Sequence, residues 1–164
     1  MNQKIIVALA VGALAYFIYR FASERNQVNV NLPDPGMPIS SQTFPGVNPQ
    51  KVYDFAYAVS VAEGFWETGS LPQRINNPGD LELGDRGSGT EANKTIFGSV
   101  FSGWEALYNE VWLILSGRSP YYQTSQTLEV IGRTYSGGDD NWSINVSNVL
   151  GVPPSTVLAD WLST

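Results

Sequence analysis

The chain has 164 residues, with 9 Lys+Arg against 15 Asp+Glu and neither Cys nor His. Those two absences exclude a Cys/His zinc site, a Ser-His-Asp triad, a Cys-His dyad and any disulfide, leaving carboxylate, hydroxyl, amide, Lys and Arg chemistry. The net charge of -6 lacks the basic footprint of a nucleic-acid binder, and no phosphate-cradling GxxxxGK[ST] or GxGxxG string occurs, so neither a cofactor nor a nucleic-acid partner is expected.

The charge is uneven. Residues 1–50 carry Lys4, Arg20 and Arg25 against Glu24 and Asp34, whereas residues 51–164 hold 6 basic and 13 acidic side chains, which marks a separate acidic body. Ile5 to Tyr19 is uncharged and apolar, and Arg20, Phe21 and Ala22 extend it. As helix, those residues span about 27 Å, close to the hydrocarbon thickness of a bilayer. Tyr16 and Tyr19 fall near one interface, with Arg20 snorkelling beyond. A cleaved signal peptide is the alternative, since Ala13-Leu14-Ala15 has the form of a cleavage site. Bulky Tyr16, Phe17 and Tyr19 make an odd mature N-terminus and favour an uncleaved transmembrane anchor over 1–22, its partner a lipid bilayer through residues 5–22. Basic residues at both ends leave its direction open. Residues 23–49 read as a tether, because Pro33, Pro35, Pro38, Pro45 and Pro49 fall among Asn, Gln and Ser and build no core.

A folded domain over 50–164 remains. Asn48 is a candidate N-cap and Pro49 a good first helical residue. Val52, Phe55, Ala56, Val59 and Ala62 repeat at helical spacing, and Gly64 is a natural stop. Residues 65–80 read as a loop, and 81–99 as a small β-hairpin around a Gly-rich turn at 84–89. Phe101, Trp104, Leu107, Tyr108, Val111, Trp112 and Leu115 form the strongest helical stripe, ending at Gly117. Ser125, Asn141 and Ser155 are candidate caps of three further helices, the first carrying Leu128 and Ile131, the second stopped by Gly151, the last carrying Leu158 and Trp161. The fold class is α+β, mostly helical, with one small sheet insertion.

Glu63 is the first candidate for chemistry. It closes a predicted helix, where the negative end of the dipole disfavours its ionised form, and Phe65 and Trp66 desolvate it further. A carboxyl still protonated near neutral pH is what a general acid in glycoside cleavage needs. The plainer alternative is a solvated Glu at a helix end. Asn77-Pro78-Gly79 favours a turn, structural unless something nearby uses it. Lys51 and Lys94 read as solubilising charge, Asp139-Asp140 as a helix start rather than a metal site, and Trp104 and Trp112 as core. Phe65, Trp66, Tyr121, Tyr122, Tyr135 and Trp142 are aromatics that either stack on sugar faces or pack.

Taken together, Ala62-Glu63-Gly64-Phe65, Gly69 to Arg74 and Asn76-Asn77-Pro78-Gly79-Asp80-Leu81 resemble phage and prophage lysozyme-like domains. Those carry an "EGF…RNNPGNL" pattern and then an "F…GW.AL" helix, which Phe97, Phe101, Gly103, Trp104, Ala106 and Leu107 match. Asp140-Asn141-Trp142 and Val146 to Thr156 resemble the family's closing region, so the likeness covers roughly residues 52–160. Asp80 stands where Asn is more usual, Trp142 where Tyr is, and Ile75 precedes the Asn pair.

The resemblance implies a lysozyme-like fold that cuts peptidoglycan glycan strands, with Glu63 as the catalytic acid. Arg74, Asn76 and Asn77 match the loop that supports or lines the cleft, and Tyr135 and Trp142 are further substrate-binding candidates. A hydrolase usually needs a second carboxylate, for which Asp80, Glu82 and Asp85 are the candidates. A lytic transglycosylase needs none, and is favoured. The implied setting is an internal virion membrane, with other virion proteins as further partners. A bacterial inner membrane with a periplasmic domain is the alternative address. The competing function is a structural virion protein whose lysozyme-like domain binds glycan without cutting it.

Overall fold

A computed structural model describes residues 37–38, 40, 42–83 and 87–164. The expected anchor over 1–22, most of the expected tether and Asp85 lie outside those residues. Among the described residues no helix is long and apolar enough to cross a membrane. The fold is mostly helical α+β. In chain order it has α1 (Pro49–Ala62), α2 (Leu71–Arg74), β1 (Thr90–Glu91), β2 (Lys94–Thr95), α3 (Val100–Leu115), α4 (Leu128–Tyr135), α5 (Asp140–Leu150) and α6 (Leu158–Leu162).

Helix α1 is the axis of the core. The Asn48 side chain accepts from the Gln50 N–H, and Pro49 opens the helix as expected. Its apolar repeat predicts one buried face, yet every residue from Val52 to Val61 is buried. A helix buried all round must cover its polar positions too. Ser60 does so by donating to the Tyr57 carbonyl at 2.8 Å and accepting from Trp66 Nε1 at 2.9 Å. Helices α3 and α5 pack on two sides of α1, and α4 packs on α5.

The third side of α1 is covered by a segment that the sequence assigns to the tether. Met37 and Phe44 belong to the core, and Phe44 meets Tyr53 edge-on with ring centres 6.0 Å apart. Tyr108 donates to the Pro38 carbonyl at 2.9 Å, and Trp112 to that of Pro45 at 3.3 Å. Proline density makes this stretch poor at building a core of its own, but its carbonyls remain good acceptors for an existing one. The core thus takes in Met37 and Phe44, which lie before residue 50. Trp112 is half-buried at its edge, whereas Trp104 is fully buried.

Several boundaries differ from expectation. Thr127, not Ser125, caps α4; Asp139, not Asn141, caps α5; and α6 starts after Val157 with no side-chain cap. Backbone pairing replaces that last cap: Thr127 and Val157 form a bridge, and Leu158 N–H bonds the Gln126 carbonyl at 2.9 Å. The loop over 65–80 contains the short α2, capped by Ser70. The hairpin pairs Thr90 with Thr95 and Glu91 with Lys94. Its turn is Ala92-Asn93, both at positive φ (50° and 66°), rather than the Gly-rich stretch at 84–89. Two left-handed residues are what a tight two-residue hairpin requires, and Asn tolerates that conformation without being glycine. Lys51 is not simply solvated: its Nζ donates to the Trp161 carbonyl at 2.8 Å and lies over that indole.

Candidate active site

Glu63 is the last residue of α1's hydrogen-bonding pattern. Its N–H bonds the Val59 carbonyl at 2.9 Å, and Gly64 follows at φ +72°, where the chain leaves the helix. Its carboxyl lines a cleft of about 540 Å³. The other walls are the Gly79–Leu83 loop, Lys94 of β2, Glu110 of α3, the Tyr121–Tyr122 pair and Thr134–Gly137 at the end of α4. Burial is the main reason that Glu63 holds its proton to a pKa of about 7; the charge of Asp80 adds to it, and Asp139 adds a little more. A hydrogen bond from Trp142 and the charge of Lys94 pull the other way without winning. The carboxyl is therefore close to half protonated at neutral pH.

Trp142 is placed by helix packing. Gly132 of α4 lets α5 approach so closely that a Cβ there would lie 2.9 Å from the Trp142 ring. The indole is 2 % exposed, so it offers no face to a sugar. It stacks on Tyr135 (ring centres 4.9 Å apart, 26° between planes) and donates from Nε1 to Glu63 Oε1 at 2.8 Å. Tyr135 lines the cleft and donates its hydroxyl to the Gly79 carbonyl at 2.8 Å, tying α4 to the opposite wall. Tyr121 is the aromatic most open to a ligand, 71 % exposed at the cleft. Its neighbour Tyr122 is buried beside it. Phe65 is buried and Trp66 half-buried, both against Trp104.

The facing wall carries Asp80 and Glu82. Lys94, expected to be a solubilising charge, bridges them at 3.0 and 2.8 Å. Asp80 sits at φ +49°, a left-handed conformation that Asp tolerates better than most non-glycine residues. Among the described residues its Oδ1 is buried with no hydrogen-bond partner.

Arg74, Asn76 and Asn77 do not line the cleft. Arg74 pairs with Glu91 at 2.8 Å on the surface. Asn76, at φ +57°, donates to the Phe97 carbonyl. Its own carbonyl lies where only glycine fits at position 103, since a Cβ there would come within 1.8 Å of that oxygen. Asn77 is fully buried and donates to the carbonyls of Leu81 (2.9 Å) and Thr95 (3.0 Å) while accepting from Leu81 N–H (2.8 Å). It staples the Asp80 loop to β2, which sets Asp80 and Glu82 against Lys94. These residues hold the wall in place.

Two cleft residues escape sequence reasoning. Lys94 is isolated in sequence, and only the hairpin turn at Ala92-Asn93 directs it back to Asp80. Glu110 lies three residues from Leu107 at the margin of the buried stripe of α3, a signal shared by many flanking polar residues. Comparison with protein-family models, curated proteins and solved structures finds no match for this chain.

Proposed function

We propose that this chain is a membrane-anchored enzyme that cleaves the MurNAc–GlcNAc bond of peptidoglycan, with a lysozyme-like domain and Glu63 as its acid. The observation that carries the reading is a helix-terminal carboxyl, protonated near neutral pH by burial, in a cleft with an exposed aromatic at its mouth. A general acid is most effective when its pKa lies near the working pH.

Lytic transglycosylase action is favoured over hydrolysis. Glu63 gives its proton to the glycosidic oxygen as the C1–O bond breaks. As a carboxylate it then takes the proton of the muramic 6-hydroxyl, whose oxygen attacks C1 and closes an anhydro ring. One carboxyl serves both steps. The hydrolytic route needs a second, unencumbered carboxylate about 5–9.5 Å away. Asp80 and Glu82, the described candidates, both share Lys94, and a carboxylate bound to an ammonium is a weaker nucleophile or base. Asp80 has another use: its charge helps Glu63 keep its proton and would stabilise positive charge developing at C1.

The apolar run at 5–22 and the resemblance to phage domains make an internal virion membrane the proposed address, with local opening of the cell wall as the task. The test is incubation of the full-length chain, in detergent, with purified sacculi, and mass spectrometry of the soluble products. Anhydro-muramic ends released by wild type but not by Glu63→Gln are the expected result. Reducing ends select hydrolysis. No release from folded wild type across several peptidoglycan chemotypes moves the assignment to a glycan-binding structural protein.

A further inference from the structure

Glu63 Oε1 accepts from Trp142 Nε1 at 2.8 Å. An indole N–H donates and never accepts, so Oε1 must meet it with a lone pair whether or not the carboxyl is protonated. Among the described residues Oε2 has no hydrogen-bond partner. The donor is also fixed in place. Its ring is 2 % exposed, stacked on Tyr135 and pressed against Gly132, and the Tyr135 hydroxyl is itself tied to the Gly79 carbonyl.

We propose that Trp142 is a positioning residue for the acid: it reserves Oε1 as an acceptor, assigns the transferable proton to Oε2, and stabilises the carboxylate formed when that proton leaves. The proposal rests on the assignment of Glu63 as the acid. Proton and electrons balance within the step already described. The Oε2–H proton passes to the glycosidic oxygen, which keeps the electron pair of the broken C1–O bond. The negative charge left on Glu63 strengthens its bond from the indole. The proton of the attacking 6-hydroxyl then returns to Oε2.

Other groups also face Glu63. Asp80 on the loop wall and Asp139 at the start of α5 oppose its ionisation, and Lys94 on β2 favours it. Tyr135 and Tyr122 have pKa values raised by burial, Tyr122 to about 12, and stay neutral throughout the working range. Glu82 and Glu110 line the same cleft. Substitution at position 142 leaves all of these charges in place, so a change in titration there reads the indole.

The experiment uses the full-length chain in detergent with two replacements of Trp142. Trp142→Phe removes the donor and part of the ring. Benzothienylalanine at the same position keeps the ring volume and replaces only N–H by sulfur, which covers the case where Phe fails to pack. In wild type the Trp142 indole ¹H–¹⁵N resonance, identified by its loss in Trp142→Phe, is expected to move with pH around 7 and to be flat in Glu63→Gln. On soluble glycan strands both replacements are expected to lower kcat about tenfold, leave KM within about twofold, and shift the alkaline limb of kcat up by about one pH unit, because a donor to the ionised form has gone. An indole resonance that ignores Glu63, or a limb that stays in place in the sulfur isostere, overturns the proposal. If the indole titrates with Glu63 but wild type leaves glycan uncut, the pairing is supported and the glycan assignment fails.

Discussion

Two walls of one cleft put carboxylates to opposite uses. On the α1 side, Glu63 is half-buried, meets one neutral donor among the described residues, and keeps its proton to about pH 7. On the loop side, Asp80 and Glu82 share an ammonium within 3.0 Å. The residue types are nearly the same, so their surroundings make the difference. Burial with no cation in contact favours the neutral form of Glu63, whereas Asp80 and Glu82 have the Lys94 ammonium in contact. The two walls also depend on each other, since the charge on Asp80 is one reason Glu63 stays protonated.

The largest effect comes from breaking the acid wall. Glu63→Gln keeps size and hydrogen bonding but removes the proton, and cleavage is expected to fall by about 10³-fold. Asp80→Asn removes a charge from the other wall. In a transglycosylase its cost is about tenfold, together with a lower alkaline limb, because the charge that raised the Glu63 pKa is lost. A loss for Asp80→Asn as large as that for Glu63→Gln reverses the ranking and points to hydrolysis.

Stability offers a second measurement of the same wall. Because the pKa of Glu63 is raised on folding from 4.5 to about 7, its contribution is complete below pH 4.5 and is lost as pH rises toward 7. Wild type is therefore expected to lose about 3 kcal/mol relative to Glu63→Gln between those pH values. Urea melts of both proteins at pH 4.5 and 8 check this, and parallel stabilities contradict the buried-acid description.

The loop wall is tested next. Asn77→Ala strips partners from Leu81 N–H and the Thr95 carbonyl, both buried, and is expected to cost about 2–3 kcal/mol in a thermal or urea melt. Loosening Asp80 should also lower the alkaline limb. The smallest effect belongs to Lys94→Met. Its partners are partly or largely exposed, so the expected loss of stability is about 1 kcal/mol or less. The alkaline limb should nevertheless rise, because a cation that favours ionised Glu63 has gone. A falling limb makes Lys94 a substrate contact rather than an electrostatic neighbour.

The position and surroundings of Glu63 were legible from local signals. A helix stop at Gly64 puts the carboxyl at the end of α1, and Phe65 and Trp66 mark apolar surroundings. Trp142, 79 positions away, is legible only as an aromatic near a helix start. That its N–H reaches Glu63 depends on α4 and α5 touching at Gly132, a long-range fact. The Asn77 turn is equally visible in sequence, but its role as a staple depends on β2, whose position follows from two left-handed residues that are not glycine. Thr127 and Asp139 cap where Ser125 and Asn141 are expected because several polar residues near each start suit the role, whereas α6 follows Val157 without a side-chain cap, its start held by the pairing between residues 126–129 and 154–158.

Composition alone narrowed the chemistry. With no His or Cys, only carboxylate, hydroxyl, amide, Lys and Arg groups remain for it, and periodicity with the flanking cap and stop residues located α1 and α3. Tertiary structure decided which carboxylates face one another and which have a cation. It also decided that Met37 and Phe44 of the proline-rich segment belong to the core and that Lys94 belongs to the cleft. Periodicity reports what a helix buries. Proton affinity depends on groups brought together across the chain, and distances of about 3 Å between residues tens of positions apart exist only once the helices have packed.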